Sequence, residues 1–369
     1  MVIDCHAHWF SRDFSMAEGS WMPFISEQVN GQFYKSVGLE MTDEAVADAL
    51  LVQEGSDFVR QIADGGLDKL VLLPLDYYDF FGVPNCDTIE MNRRHAELAK
   101  AYPGQIYSFF GIDPRRPDAA KHFYTAVTEW GMKGLKLYPP SGFLPDDAAC
   151  HDLYKMAIEL DVPVLSHGME QMMSTKDECH PDNFLPVVQK FPDLKLVYAH
   201  AGGVNWFDQA VDMLKNYENF YVDLSGWQIM PDAFITGRMD TIIEKVGSLD
   251  KVMFGSDNPV FNPAIPTKQW VDRVKAYPYS DAEKDAFLGG VAESQVQLCL
   301  AAIGQVRDAP GDGQAGVGTA AGAVVVAALP VRIGGDEPGG QPQPERRRPW
   351  QPLRDGVDHA AGQPAATLL

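Results

Sequence analysis

The chain has 369 residues, 46% of them hydrophobic, and carries 51 acidic against 30 basic side chains for a formal net charge of −21. That length and apolar content allow one large or two ordinary domains with a sizeable core, while the charge argues against nucleic acid or an anionic membrane as main partner, because binding phosphate needs a basic surface. The five cysteines are scattered, odd in number and without a CxxC pair, which argues against a disulfide scaffold or a thiolate zinc site and fits a reducing cytoplasm.

The first residues show neither the basic n-region nor the apolar h-region of a signal peptide, and residues 2–8, VIDCHAH, read as a buried strand. Residues i and i+2 of a strand share a face, so His6 and His8 point together while Cys5 and Ala7 point the other way. Two imidazoles so placed can share a metal ion; the alternative is two surface histidines that follow a strand. The stretch 42–66, TDEAVADALLVQEGSDFVRQIADGG, reads as a helix, with Thr42 as N-cap, acids in the first turn and Gly65-Gly66 as the stop.

Apolar runs then recur at 69–75, 106–113, 134–140, 162–168, 195–203, 220–226 and 251–257, with helical stretches such as MNRRHAELAKAYPG and FDQAVDMLKNY between them. Bounded by Gly, Pro and Asp, these runs suit strands buried on both faces of a parallel sheet. Eight strands alternating with helices predict an α/β fold, a (β/α)8 barrel, over residues 1–303. A doubly wound sheet is the alternative, weakened by the lack of a GxGxxG after the first strand. Composition changes near residue 304: no lysine follows Lys284, Trp350 is the only aromatic from Gly304 onward, and Gly, Pro and Ala dominate. Residues 304–369 therefore read as a largely disordered tail, with a docking peptide around ERRRPW as the alternative. Its apolar stretch GAVVVAALPV is too short to span a bilayer and contains Pro330.

In a (β/α)8 barrel the C-terminal strand ends form the floor of the active site. At that level the chain places His6 and His8 on the first strand, Lys136 on the fourth, His167 on the fifth, His200 on the sixth and Asp257 on the eighth. Each alone has a structural explanation: a core histidine, a turn aspartate before Asn258-Pro259, a solvated lysine. Together they crowd polar groups that must be paired or bound to metal to offset their desolvation.

DCHAH on the first strand, FPDLKLVYAHAGG around the sixth and KVMFGSDNP at the eighth resemble the amidohydrolase superfamily. More narrowly they resemble its amidohydrolase-related group, which includes aminocarboxymuconate-semialdehyde decarboxylase and γ-resorcylate decarboxylase, over about residues 1–300. The resemblance implies one divalent metal ion, zinc with Mn²⁺ as alternative, held by His6, His8, His167 and Asp257, with His200 beside it as acid or base. The closing stretch FLGGVAESQVQLCLAAIG departs from the family pattern, which carries an Asn-Ala pair after Gly-Gly and a Leu-Leu-Gly ending.

An ion held by nitrogen and oxygen ligands, with a position open to water, lowers that water's pKa and creates a hydroxide nucleophile. Asp257 would accept the proton, and His200 would polarise the substrate or protonate a leaving group. That set of parts hydrolyses a small carboxylated ester, lactone or amide; the same floor could instead protonate a ring or diene carbon as CO₂ departs from a small aromatic or muconate-like acid. Lys136 tips the reading towards hydrolysis, because in binuclear amidohydrolases a lysine on the fourth strand can be carboxylated and bridge two metals. With one metal, the reading favoured here, Lys136 shares an inward face with Tyr138 and remains an ammonium that anchors a substrate carboxylate. Arg12 could bind a carboxylate or be a solvated loop residue, and Trp227 could stack on a substrate ring or simply pack. His180 in ECHPDNF reads as a loop residue. A binding-only barrel would have lost ligands, and none is missing; a nuclease is disfavoured by the acidic balance. The expected partner is a small-molecule substrate, with a homodimer left open, no nucleic acid and no membrane, in the cytoplasm.

Overall fold

Each of the eight apolar runs forms a parallel strand in the computed structural model of the chain, which describes residues 1–13, 22, 24–51, 54–78, 85–170 and 177–295. The strands are β1 (Ile3–Ala7), β2 (Lys69–Leu72), β3 in two pieces (Ile106–Ser108 and Phe110–Gly111), β4 (Leu135–Leu137), β5 (Val164–Ser166), β6 (Leu196–Tyr198), β7 (Phe220–Asp223) and β8 (Val252–Met253). Each pairs with the next in order. The interruption in β3 is a hand-over: Phe109 N donates to Leu72 O at 3.0 Å and Phe110 N to Gly134 O at 2.8 Å. The ring closes between β8 and β1, where Cys5 N donates to Phe254 O at 3.0 Å, Asp257 N to His6 O at 2.7 Å and His8 N to Asn258 O at 2.7 Å. A closed ring of eight parallel strands is a TIM barrel, and the doubly wound alternative falls.

Burial follows the period of two. Leu70, Leu72, Leu135, Leu137, Leu196 and Val222 face the surrounding helices within the main core, while Val71, Leu73, Phe109, Leu165, Val197 and Met253 meet inside the barrel. Ile3 and Cys5 belong to that inner cluster, and His6 also turns inward, which breaks the alternation expected for VIDCHAH. The cause is a register shift between Asp4 and Ala7, where β1 advances three residues against two of β2. A bulge of this kind re-aims side chains at a barrel rim; here it swings His6 and His8 from the helix-facing side, where Asp4 lies, to the interior.

The helices are α1 (Asp43–Leu51), α2 (Gly55–Gly65), α3 (Thr88–Ala101), α4 (Ala119–Thr128), α5 (Ala148–Glu159), α6 (Pro181–Lys190), α7 (Phe207–Asn216), α8 (Asp232–Val246), α9 (Thr267–Ala276) and the short α10 (Asp281–Asp285). The expected helix over 42–66 is two helices. Thr42 Oγ1 accepts from Ala45 N at 3.2 Å and Gly66 closes α2 in a left-handed conformation, φ 66°, as the sequence suggests. A second start intervenes at Glu54, which forms a capping box with Asp57 and leaves α1 free to fold over the barrel mouth. There α1 and a π-helical stretch, Phe24–Tyr34, make a separate small core with Phe10 and, from the flanking exits of β2 and β8, Leu75, Tyr77 and Val260. At the other end, Val291 and Ala292 complete the inner cluster, and Lys69 ties that segment down through Glu293 at 2.6 Å.

The boundary at residues 303–304 and the Gly/Pro/Ala-rich tail lie outside the described residues. Among the described residues no disulfide forms, and no helix is long and apolar enough to cross a membrane.

Candidate metal centre

The exits of β1, β7 and β8 build the floor. His6 Nδ1 lies 3.0 Å from Asp223 Oδ2 and donates to it, so its Nε2 carries the lone pair. His8 Nδ1 donates to Leu73 O at 2.7 Å, which leaves its Nε2 in the same state. The two Nε2 atoms are 3.2 Å apart, and Asp257 Oδ1 stands 3.0 Å from that of His8 and 3.7 Å from that of His6. Two lone pairs and a carboxylate oxygen thus converge in a buried place. A proton on one nitrogen would relieve a single contact; a divalent cation among all three relieves every one, and nitrogen and oxygen donors suit zinc or manganese. The orienting carboxylate, Asp223, gives His6 the carboxylate–histidine arrangement that fixes the tautomer of a metal ligand.

Burial and neighbours set the charges. Burial pulls the His6 pKa down to about 3, with Lys136 adding to it against the pull of Asp223, so the ring is neutral and able to ligate. Burial alone would raise the carboxyl of Asp257, but its surroundings, the imidazoles of His8, His6 and His200, outweigh it and keep the group ionised, below the usual carboxylate range. Asp223 likewise stays ionised, burial being outweighed by His6, His200 and a short bond from Ser225 Oγ.

Local backbone explains how distant residues reach this point. Gly255, two residues before Asp257, leaves room for the neighbouring strands: a Cβ there would meet His6 Cβ at 2.9 Å and Ser225 Cβ at 3.0 Å. Asp257 itself is left-handed, φ 53°, held by its N–H on His6 O. His200 is left-handed as well, φ 60°; its N–H donates to Asp223 Oδ1 at 3.1 Å and its carbonyl accepts Trp227 Nε1–H at 2.8 Å. Strained residues persist only where their surroundings over-determine them, and such places cluster at functional sites.

His6, His8 and Asp257 therefore come together, and His167 stands one ring away. Its Nδ1 is 3.2 Å from His200 Nε2, and its Nε2 is buried with no hydrogen-bond partner among the described residues. Burial, then His200 and Lys136, hold its pKa well below 6.5, so this bare lone pair is available as a further ligand. His200 Nδ1 donates to Ser225 O at 3.0 Å. Lys136 points inward from β4, 2% exposed, with no hydrogen bond or ion pair to any described residue. Burial lowers its pKa to about 8 while Asp223 and Asp257 sustain the charge, so at neutral pH it is mostly an ammonium. His8, Lys136, His167, His200 and Asp257 open onto one cavity of about 120 Å³, whose other side is Phe10, Leu75, Tyr77, Tyr138, Val260 and Phe261.

Two expected substrate contacts lie elsewhere. Arg12 reaches Asp48 at 2.8 Å on the outer surface and does not line the cavity. Trp227 also stays outside it; its ring packs between Phe207 and Phe234, and it acts on the site through the His200 carbonyl. His180 caps α6, its Nδ1 accepting from Asp182 N at 3.2 Å. Sequence reasoning missed Asp223 and Ser225, although they share a strand face in FYVDLSG, and it missed Asp4. Asp4 is fully buried and accepts from His6 N at 3.2 Å and Ser256 N at 2.9 Å, which ties β1 to the loop that carries Asp257. Burial, opposed by these bonds, raises its pKa to about 7.

A barrel with this floor defines a class, and the class has a family. The amidohydrolase family model matches residues 3–294, and the chain belongs to that family, whose members typically bind a divalent metal. No curated protein matches the chain. Among solved structures the fold is similar to an uncharacterised TIM-barrel protein from Bordetella bronchiseptica, at 18% identity and TM-score 0.60, covering 81% of this chain and 99% of that one. It is similar also to a probable 2-pyrone-4,6-dicarboxylic acid hydrolase from Acinetobacter baumannii with citric acid bound, at 16% identity and TM-score 0.56, over 80% and 99% of the two chains. A dihydroxybenzoic acid decarboxylase from Polaromonas, with manganese and the inhibitor 2-nitroresorcinol bound, is similar at 17% identity and TM-score 0.55, over 80% and 97%.

Proposed function

We propose that the chain is a metal-dependent hydrolase of a small carboxylated ester, lactone or amide. The observation that carries this reading is an ammonium, Lys136, with no ion-pair partner among the described residues, facing the convergent donors of His6, His8 and Asp257 across one small cavity. His6, His8 and Asp257 would hold one divalent cation, with His167 as fourth ligand. When bound, that cation supplies positive charge that polarises a substrate oxygen and makes water more acidic.

The chain's own residues do the rest. Lys136 anchors the substrate carboxylate and fixes the scissile bond over the floor. Asp257 takes the proton of the attacking water on the oxygen not facing the histidines; His200, whose Nε2 carries a lone pair because its Nδ1–H is on Ser225 O, takes that proton over from Asp257 once Nε2 leaves His167 and passes it to the leaving group. The apolar side of the cavity lowers the local dielectric and strengthens these charges.

A second reading, loss of CO₂ from a small aromatic or muconate-like acid, is favoured by the aromatic side of the cavity and by the similarity to a decarboxylase with manganese bound. Product analysis separates the two. The zinc-loaded protein, given small lactones, esters, amides and carboxylated phenols, should open a carboxylated lactone or ester without releasing CO₂. Release of CO₂ with no hydrolysis would replace the first reading by the second, and no turnover of any compound by loaded protein would count against both.

A further inference from the structure

The aromatic side of the cavity is braced from outside. Tyr77 and Tyr138 stand edge to face there, ring centroids 5.1 Å apart. Tyr138 follows β4 directly, whereas Tyr77 sits in the turn after β2, and Asp76 holds that turn. Asp76 Oδ1 accepts from Tyr78 N at 3.0 Å and Arg116 Nη2 at 2.8 Å, and its Oδ2 accepts from Asp113 N at 2.9 Å and Arg116 Nε at 2.8 Å. Tyr78 is left-handed, φ 55°, with the guanidinium carbons of Arg115 and Arg116 at 4.4 and 4.9 Å from its ring centre. Asp113 in turn binds Arg115 Nη2 and Ser141 Oγ, each at 2.7 Å. The exits of β2, β3 and β4 are thus one bonded unit, and a bulky residue at positive φ persists only inside such a unit. Tyr77 is pinned into the cavity by it, and burial, with Tyr138 and Asp257 adding, keeps its phenol neutral. The cavity, about 120 Å³ and open to solvent on one side, is well below the range of about 300–1,000 Å³ for sites of drug-sized ligands.

We propose that Tyr77 is the specificity-determining residue of this site: locked against Tyr138 by the Asp76–Arg116 pair, its ring sets the depth of the cavity and limits the ligand to one small ring or an acid of that size. The charge of the ligand rests on the carboxylate-anchoring reading of Lys136; the size limit does not.

The test uses the full-length, zinc-loaded protein and calorimetric binding of benzoate and 2-naphthoate, with phenol and 2-naphthol repeating the size comparison without a carboxylate. The wild type should prefer the single ring of each pair by about tenfold or more, and Tyr77→Ala should remove most of that preference, a change of the size expected from one pocket-filling group. Asp76→Asn, which loosens the clamp but leaves the ring, should lower the preference by a smaller factor. Lys136→Ala should weaken both acids together, and by a larger factor than it changes either phenol. A wild type that accepts two rings as well as one, or a folded Tyr77→Ala protein with unchanged preference in both pairs, overturns the role of Tyr77. Acid binding indifferent to Lys136→Ala overturns the carboxylate reading instead, while the phenol pair still decides the role of Tyr77. Tyr77→Leu repeats the test should the alanine variant fail to fold.

Discussion

At the exits of β2 and β3 each buried carboxylate meets a guanidinium: Asp76 meets Arg116 at 2.8 Å and Asp113 meets Arg115 at 2.7 Å. At the exits of β1 and β8, Asp257 meets two imidazole nitrogens whose protons are spent on Asp223 and Leu73 O. Both clusters lie at the same end of one barrel, and both place charge in a poor solvent. The first is closed, with every lone pair matched by an N–H or O–H, so it braces. The second brings two lone pairs and a carboxylate oxygen together with no N–H or O–H between them, an arrangement that a divalent cation would satisfy. Burial alone does not mark a functional site; the mismatch between donors and acceptors does.

The comparison can be broken from the floor first, where effects should be largest. Asp257→Ala should lose the bound metal, and turnover should fall beyond the roughly 10²–10⁴-fold that a single acid–base group contributes; elemental analysis beside a rate measurement reads both. His200→Asn should lose about 10²–10⁴-fold in turnover and keep its metal, because His200 Nε2 faces His167 and not the three convergent donors. Loss of metal in that variant would place His200 among the ligands. Asp223→Asn removes the charge that orients His6 and should weaken metal affinity about 10–100-fold, measured by competition with a chelator. The closed cluster should behave in the opposite way. Asp76→Ala strands the partly exposed Arg116 and should destabilise the fold by about 2 kcal/mol in denaturant titration, with metal content unchanged.

Legibility in the sequence divides along the same line. The eight strands were readable because each is a short apolar run buried on two faces, and the inward face of Lys136 and Tyr138 followed from period two. Pairing His6 with His8 also followed from that period, but turning them inward did not, because the bulge after Asp4 depends on the register with β2. Asp223 stayed hidden, since an acid in the middle of FYVDLSG, where β7 ends, carries no signal of its own until β1 brings His6 against it. Arg12 and Trp227 were plausible by position alone; Asp48 and the His200 carbonyl, each far along the chain, decide what they touch. The brace of Asp76, Arg115 and Arg116 has no motif, because its bonds join three separate strand exits.

The most direct measurement of the central claim is the divalent-metal content of the purified full-length chain, set beside that of folded His8→Ala and Asp76→Asn variants. The donor geometry of His6, His8 and Asp257 requires about one ion per chain in the wild type and in Asp76→Asn, and almost none in His8→Ala. A folded wild-type chain that takes up no stoichiometric zinc or manganese, or a His8→Ala variant that retains the full complement, would contradict it.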